Sequence, residues 1–198
     1  MIPNLKVLLL GDAAVGKTAI IHQYINKSFN QEIISTVGLL NSKKKIIVNE
    51  KEVLLNIWDT PGQERYFLVT KNSIQNSDIV ILVCDLTNKE SFLNLNKYYQ
   101  TISDLLDLTN IIIGIAANKS DINDKELIDF NEIEDYSKTI QADAFFTSAK
   151  DYECIEKMFF DLTLKYNEQI LKSRNFRESS NILLEEKTET KKKECCKK

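Results

Sequence analysis

The chain has 198 residues, 43% of them hydrophobic and 28% charged, enough for one folded domain with a full core and too apolar for a wholly disordered chain. Its 26 Lys and Arg against 29 Asp and Glu leave a net charge of −3, so no global basic field directs it to nucleic acid. Its longest apolar runs fall far short of a bilayer span, and four scattered cysteines do not make a disulfide scaffold. The start, MIPNLKVLLLGD, has no basic stretch and no cleavage site, so it reads as a first strand and not as a signal peptide.

Residues 5–10 form a continuous apolar run that predicts a buried strand. GDAAVGKT follows at residues 11–18 and fits G-x-x-x-x-G-K-[ST], with the helical run AIIHQYI directly after it. In that setting the loop backbone, through Ala14, Val15 and Gly16 to Ala19, wraps a phosphate with its N–H groups, and the positive end of the helix faces the same anion. Lys17 is placed to meet the β and γ phosphates, and the Thr18 hydroxyl to ligate magnesium.

Residues 46–48 and 53–58 flank a charged turn and predict a hairpin running out to a sheet edge. DTPGQERY then begins at Asp59, a residue placed to hold magnesium through a water. Gly62 can bring a backbone N–H to the γ-phosphate, and Gln63 can orient the attacking water because its amide both donates and accepts. Thr36, in STVG, is the remaining candidate magnesium ligand, on a loop that closes when the third phosphate is present.

Residues 79–84 predict a strand, and Phe92, Leu95, Tyr98 or Tyr99, Ile102, Leu105 and Leu106 one helical stripe. A strand at 111–117 leads to NKSD at 118–121. Here the Asp121 carboxylate can accept from guanine N1–H and its 2-amino group, donors that adenine lacks, while Asn118 reads the other edge and the Lys119 stem covers the base. A weaker stripe of Ile128, Ile133 and Tyr136 and a short strand at 144–146 precede TSAK, whose Ala149 N–H can reach the guanine oxygen. Ile155, Met158, Phe159, Leu162 and Tyr166 mark a last helix. Strands and helices in alternation give a doubly wound α/β domain of about 170 residues.

The remaining segment, 172–198, has nine Lys or Arg against five Glu, a local +4 that leaves −7 for the rest of the chain. After the apolar triplet at 182–184 it is almost entirely charged and cannot form a core. Cys195 and Cys196 lie near its tip.

GDAAVGKT, the Thr-Val-Gly loop, WDTPGQERY, NKSD, TSAK and the CCKK ending, in this order and spacing, resemble the Ras-like small GTPases, and among them the Rab family of vesicle-traffic regulators. QERY, STVG and the paired cysteines look closest to its endosomal branch. The resemblance covers residues 5–166 and the last few residues. It implies a P-loop NTPase fold of the α/β class, with a six-stranded, mostly parallel sheet, one antiparallel edge strand and five helices, in a GTPase domain over 1–171 followed by a flexible tail. It implies GTP and GDP with Mg²⁺, the catalytic residue Gln63, and slow hydrolysis without an activating protein. Gly16, Lys17, Thr18, Thr36, Asp59 and Gly62 match the phosphate and magnesium set. Phe29 matches the aromatic that leans on the guanine edge, and Asn118, Lys119, Asp121, Ser148, Ala149 and Lys150 the guanine-reading set. Partners implied are an exchange factor, an activating protein, an escort or dissociation-inhibitor protein and effectors. The ending implies geranylgeranylation of Cys195 and Cys196, and residence on the cytoplasmic face of an intracellular membrane with cycling through the cytosol.

The chain departs from the family pattern at several points. Asn41 stands where most members carry an aromatic, NSIQN at 72–76 replaces Tyr-Tyr-Arg-Gly-Ala, and of the aromatic trio on the effector side only Trp58 is evident. Pro61 replaces the usual alanine and lacks an N–H, and Ala13 adds a methyl beside the phosphates. The last two motivate an alternative, a hydrolysis-deficient guanine-nucleotide scaffold acting only through protein interactions. A small kinase is disfavoured because the chain has no arginine-rich lid. His22, Cys84, Cys154, the aromatic residues of 92–99 and the acidic run of 121–135 read as packing or surface residues, without chemistry.

Overall fold

Strand by strand, alternate side chains go to opposite faces of one sheet, and that is why the apolar runs are continuous. The computed structural model describes residues 2–29, 36, 38–61, 73–122 and 128–169. The elements in chain order are β1 (Asn4–Leu10), α1 (Lys17–Asn26), β2 (Leu40–Val48), β3 (Lys51–Asp59), β4 (Ile79–Asp85), α2 (Lys89–Leu93), α3 (Leu95–Leu105), β5 (Ile112–Asn118), α4 (Phe130–Thr139), β6 (Asp143–Phe146) and α5 (152–169). The six strands lie in the order β2-β3-β1-β4-β5-β6, all parallel except the β2–β3 pair at the edge. The expected fold, a six-stranded and mostly parallel α/β sheet with helices on both faces, is the observed one.

Leu9, Ile57, Ile81 and Ala116 point to the layer of α1 and α5, where Tyr24 and Phe159 stack with ring centroids 4.0 Å apart. Leu8, Leu82, Cys84 and Ile115 point to the other layer, against Phe92, Ile102 and Ile133. Every residue of β4 and β5 is buried. Among the described residues no helix is long and apolar enough to cross a membrane.

Four details differ from the periodicity reading. β2 begins at Leu40, six residues before its apolar run, because LNSKKK pairs along β3 on the sheet edge, where alternate side chains face solvent. The hairpin turn is only Asn49 and Glu50, with φ of 49° and 63°, the sign pattern of a tight I′ turn. The single stripe through residues 92–106 is two helices, because Asn94 both ends α2 and starts α3. The acidic run 121–135 is not one helix face, since α4 starts only at Phe130 with Asp129 as its cap and Asp121 lies in a loop. Cys84 is fully buried as expected, whereas Cys154 is half-buried, its thiol among the backbone of Ser148 and Asp151.

Candidate nucleotide site

The carboxyl ends of β1, β3, β4, β5 and β6 meet along one edge of the sheet. β1 sits where the connections diverge, with β3 on one side and β4 on the other, and such a divergence is where doubly wound sheets bind ligands. The loop after β1 turns on Gly11 and Gly16, at φ of 151° and 100°. A Cβ on Gly11 would collide with the Val83 carbonyl, and one on Gly16 with the Asn118 amide, so only glycine lets this backbone lie so close to its neighbours. Ala14 has φ 63°, a left-handed conformation that an alanine adopts at a cost of about 1–2 kcal/mol. Ala13 and Ala14 are exposed on the loop, and Val15 is buried beneath it.

Lys17 opens α1 and is 5% exposed. Its Nζ donates to the carbonyls of Gly11 and Asp12, each at 2.7 Å. Burial lowers its pKa to about 8, opposed by the charges of Asp59 and Asp12. A buried ammonium encircled by loop carbonyls suits a polyanion, which would restore its full charge.

The magnesium candidates come together as expected. Thr18 Oγ1 donates to Asp59 Oδ2 at 2.6 Å and lies 2.7 Å from Thr36 Oγ1, which is itself 3.1 Å from the same carboxylate oxygen. Burial raises the Asp59 pKa, against the bonds from Thr18 and Thr36 and the Lys17 charge. The other oxygen, Oδ1, is buried without a partner. Two hydroxyls and a carboxylate with a spare oxygen form a hard, all-oxygen donor set, which fits Mg²⁺. Thr60 follows, buried, with its hydroxyl donating to Leu9 O at 2.7 Å, and then Pro61, also buried. Gly62, Gln63, Cys195 and Cys196 lie outside the described residues.

The base-reading residues gather from β5 and β6. Ser148 Oγ and Lys150 Nζ each donate to one oxygen of Asp121, both at 2.7 Å. Burial acts to raise the Asp121 pKa, but the bonds from Lys150 and Ser148 outweigh it and hold the carboxyl below its ordinary range. Each of those oxygens keeps a lone pair for another donor. The Lys150 ammonium is 5.9 Å from the Phe29 ring, which is 40% exposed, so Phe29 stands on the same side as the base loops. Ala149 is buried between Ser148 and Lys150. Ala19 is half-buried on α1.

Asn118 is committed differently from the sequence expectation. Its Nδ2 donates to Val15 O at 2.8 Å, tying the base loop to the phosphate loop, and its Oδ1 is buried without a partner. One amide hydrogen therefore remains for a base. Lys119 has φ 65°, and its ammonium pairs with Asp85 Oδ2 at 2.5 Å, so the stem is held across the end of β4.

Two residues of this site were missed in the sequence. Asp85, at the end of β4, anchors Lys119 and also accepts from the Thr87 amide and hydroxyl. Asp12 accepts from Asn94 Nδ2 at 2.8 Å and Tyr98 Oη at 3.0 Å, fixing the phosphate loop to α3. The available signal was a carboxylate at a strand end for Asp85 and one inside the loop for Asp12, neither of which names its partner 34 or 86 residues away.

A family model described as the Ras family matches residues 6–168. The chain belongs to the Ras family. This Ras-family chain is 34% identical over 159 residues to Ras-related protein Rab-21 of Homo sapiens, covering 80% of the chain and 70% of that protein. It is 31% identical over 168 residues to Ras-related protein Rab-1A of Dictyostelium discoideum, covering 85% and 83%. It is 35% identical over 159 residues to Ras-related protein Rab-10 of Diplobatis ommata, covering 79% and 78%. It is a Rab-like small GTPase, a GTP-binding switch of the Ras type, and the nucleotide and Mg²⁺ chemistry typical of that superfamily fits the site above.

Proposed function

We propose that this chain is a Rab-type regulator of vesicle traffic that binds GTP and GDP with Mg²⁺, hydrolyses GTP slowly, and recruits effectors in the GTP form. On this reading the GTPase domain spans 1–171, the tail attaches it to the cytoplasmic face of an intracellular membrane, and that membrane is endosomal. The single observation behind this reading is that Thr18, Thr36 and Asp59, from three separate segments, share one carboxylate oxygen. A segment held by its threonine to a nucleotide-loop threonine and a strand-end carboxylate can follow whether a third phosphate is present.

Thr18, Thr36 and Asp59 would hold Mg²⁺, which would supply charge neutralisation to the phosphates. Lys17 would exchange the loop carbonyls for phosphate oxygens, and the loop N–H groups from Ala14 to Ala19 would hold the β-phosphate. Thr18 and Thr36 supply hydroxyl oxygens, and Asp59 accepts from a water. From the sequence motif, Gly62 would donate its N–H to the γ-phosphate and Gln63 would orient the attacking water. Asp121, Asn118 and Ala149 fix the guanine, and Lys119, Phe29, Ser148 and Lys150 close around it.

Two observations favour the scaffold alternative: Pro61 is buried and offers no N–H, and Ala13 is exposed on the phosphate loop. Intrinsic hydrolysis is accordingly expected at or below the ~3–5 × 10⁻⁴ s⁻¹ of an unassisted small GTPase. Single-turnover assays should find Ala13→Gly with Pro61→Ala faster than the parent, and Gln63→Leu slower. An immeasurable parent rate, with no effect of Gln63→Leu, would establish the scaffold instead.

Deleting residues 195–198 should leave folding and GDP affinity unchanged and move the protein from membrane to cytosol. Loss of one cysteine alone should give weaker, faster-exchanging attachment, because one lipid chain with a basic patch anchors less firmly than two. Fractionation with intact-mass measurement of the terminal peptide checks both. An unmodified peptide recovered from membranes would rule out the lipid anchor.

A further inference from the structure

The phosphate loop carries a charge that anion binding does not call for. In GDAAVGKT the cation Lys17 is matched by the anion Asp12, so residues 11–18 bring no net positive charge to a polyanion. The two residues touch, since the Asp12 carbonyl accepts from Lys17 Nζ at 2.7 Å. A carboxylate free to turn toward bound phosphates would oppose them, and like charges repel more strongly where water is partly excluded. The structure turns this one the other way. Its Oδ2 accepts from Asn94 Nδ2 at 2.8 Å and its Oδ1 from Tyr98 Oη at 3.0 Å, so each oxygen is met by a neutral donor.

Both donors are held in place for this contact. Asn94 joins α2 to α3 with a helical backbone, φ −69° and ψ −15°, and its side chain caps no amide of α3. Asn88, at the start of α2, does cap, accepting from the amides of Glu90 and Ser91. Tyr98 comes four residues after Asn94 and so stands on the same helix face. Its half-buried ring packs against the layer that contains Phe92 and Ile102, which fixes the hydroxyl. We propose that Asn94 and Tyr98 are positioning residues for nucleotide binding. By holding the Asp12 carboxylate on α3 they keep it from the phosphates, and the loop meets the nucleotide with Lys17 and its backbone N–H groups unopposed. This inference rests on the guanine-nucleotide reading above and deepens it. The benefit grows with the charge of the ligand, so it is larger for the triphosphate than for the diphosphate. A tether would act through the two bonds themselves, whereas this role acts through the Asp12 charge, and the two are separable.

Titration of GDP and of a non-hydrolysable GTP analogue into the nucleotide-free full chain, with magnesium and at ~0.05 and ~0.5 M salt, tests this. At low salt Asn94→Ala with Tyr98→Phe is expected to weaken GDP binding roughly 3- to 10-fold, and the analogue by more, the effect of one like charge near a partly exposed site. The gap to the parent should narrow at high salt, because screening weakens the repulsion. Adding Asp12→Asn to the pair should bring affinity back toward that of the parent. Tyr98→Phe alone, which removes one hydroxyl and keeps the ring, should show part of the loss and the same rescue. A loss that is equal at both salts and persists with Asp12→Asn would reduce the contact to a tether and overturn the proposal. Unchanged affinity in the variants, with a parent that binds, would overturn it as well. A parent that binds neither nucleotide would overturn the guanine-nucleotide reading, and this inference with it.

Discussion

Asp121→Asn is expected to weaken GDP binding ~30- to 1,000-fold, about 2–4 kcal/mol, the loss of charge-assisted bonds to a buried base. The carboxylate is already polarised for this task, with Ser148 Oγ on one oxygen and the Lys150 ammonium on the other. Guanine offers two donors, and an asparagine meets them with one acceptor and a donor of its own. Xanthine carries a carbonyl in place of the 2-amino group, so xanthosine diphosphate should lose less or gain. Affinities for the two diphosphates, measured side by side, decide the matter. Unchanged GDP binding would remove Asp121 from the base site.

Lys17→Ala and Thr18→Asn are expected to weaken a GTP analogue more than GDP in the presence of magnesium. Removing a charge-assisted phosphate contact costs about 1.5–3 kcal/mol, or ~10- to 150-fold. Lys17 is the buried cation of the phosphate loop, and Thr18 is bonded both to Asp59 and to Thr36, so in the proposed switch each would act on the third phosphate and its cation. Titration of both nucleotides into each variant gives the comparison. Equal losses would mean that the loop does not register the γ-phosphate, and the switch would lose its trigger.

Much of this site is legible in the chain because its chemistry is local. Gly11, Gly16, Lys17 and Thr18 fall within eight residues, and a strand before them with a helix after them sets their geometry. The strands are equally legible, since burial on both faces leaves a run such as residues 79–84 wholly apolar. Long-range pairing is what the sequence hides. Nothing in the spacing says that Asn118 ties down Val15, that Lys119 pairs with Asp85 and not with solvent, or that Asp12 holds α3 through Asn94 and Tyr98. Those bonds exist because the sheet order brings strand ends together, and strand order is a property of packing. The start of β2 is hidden for a related reason: after Leu40 the segment NSKKK is polar, and its strand conformation comes from pairing with β3.

The decisive experiment is to quantify the nucleotide that co-purifies with the full chain and then to follow its turnover in magnesium. About one equivalent of guanine nucleotide per chain is expected, with bound GTP converted slowly to GDP and with adenine nucleotides absent. An empty protein that fails to take up GDP or GTP, or one carrying adenine nucleotide, would contradict it.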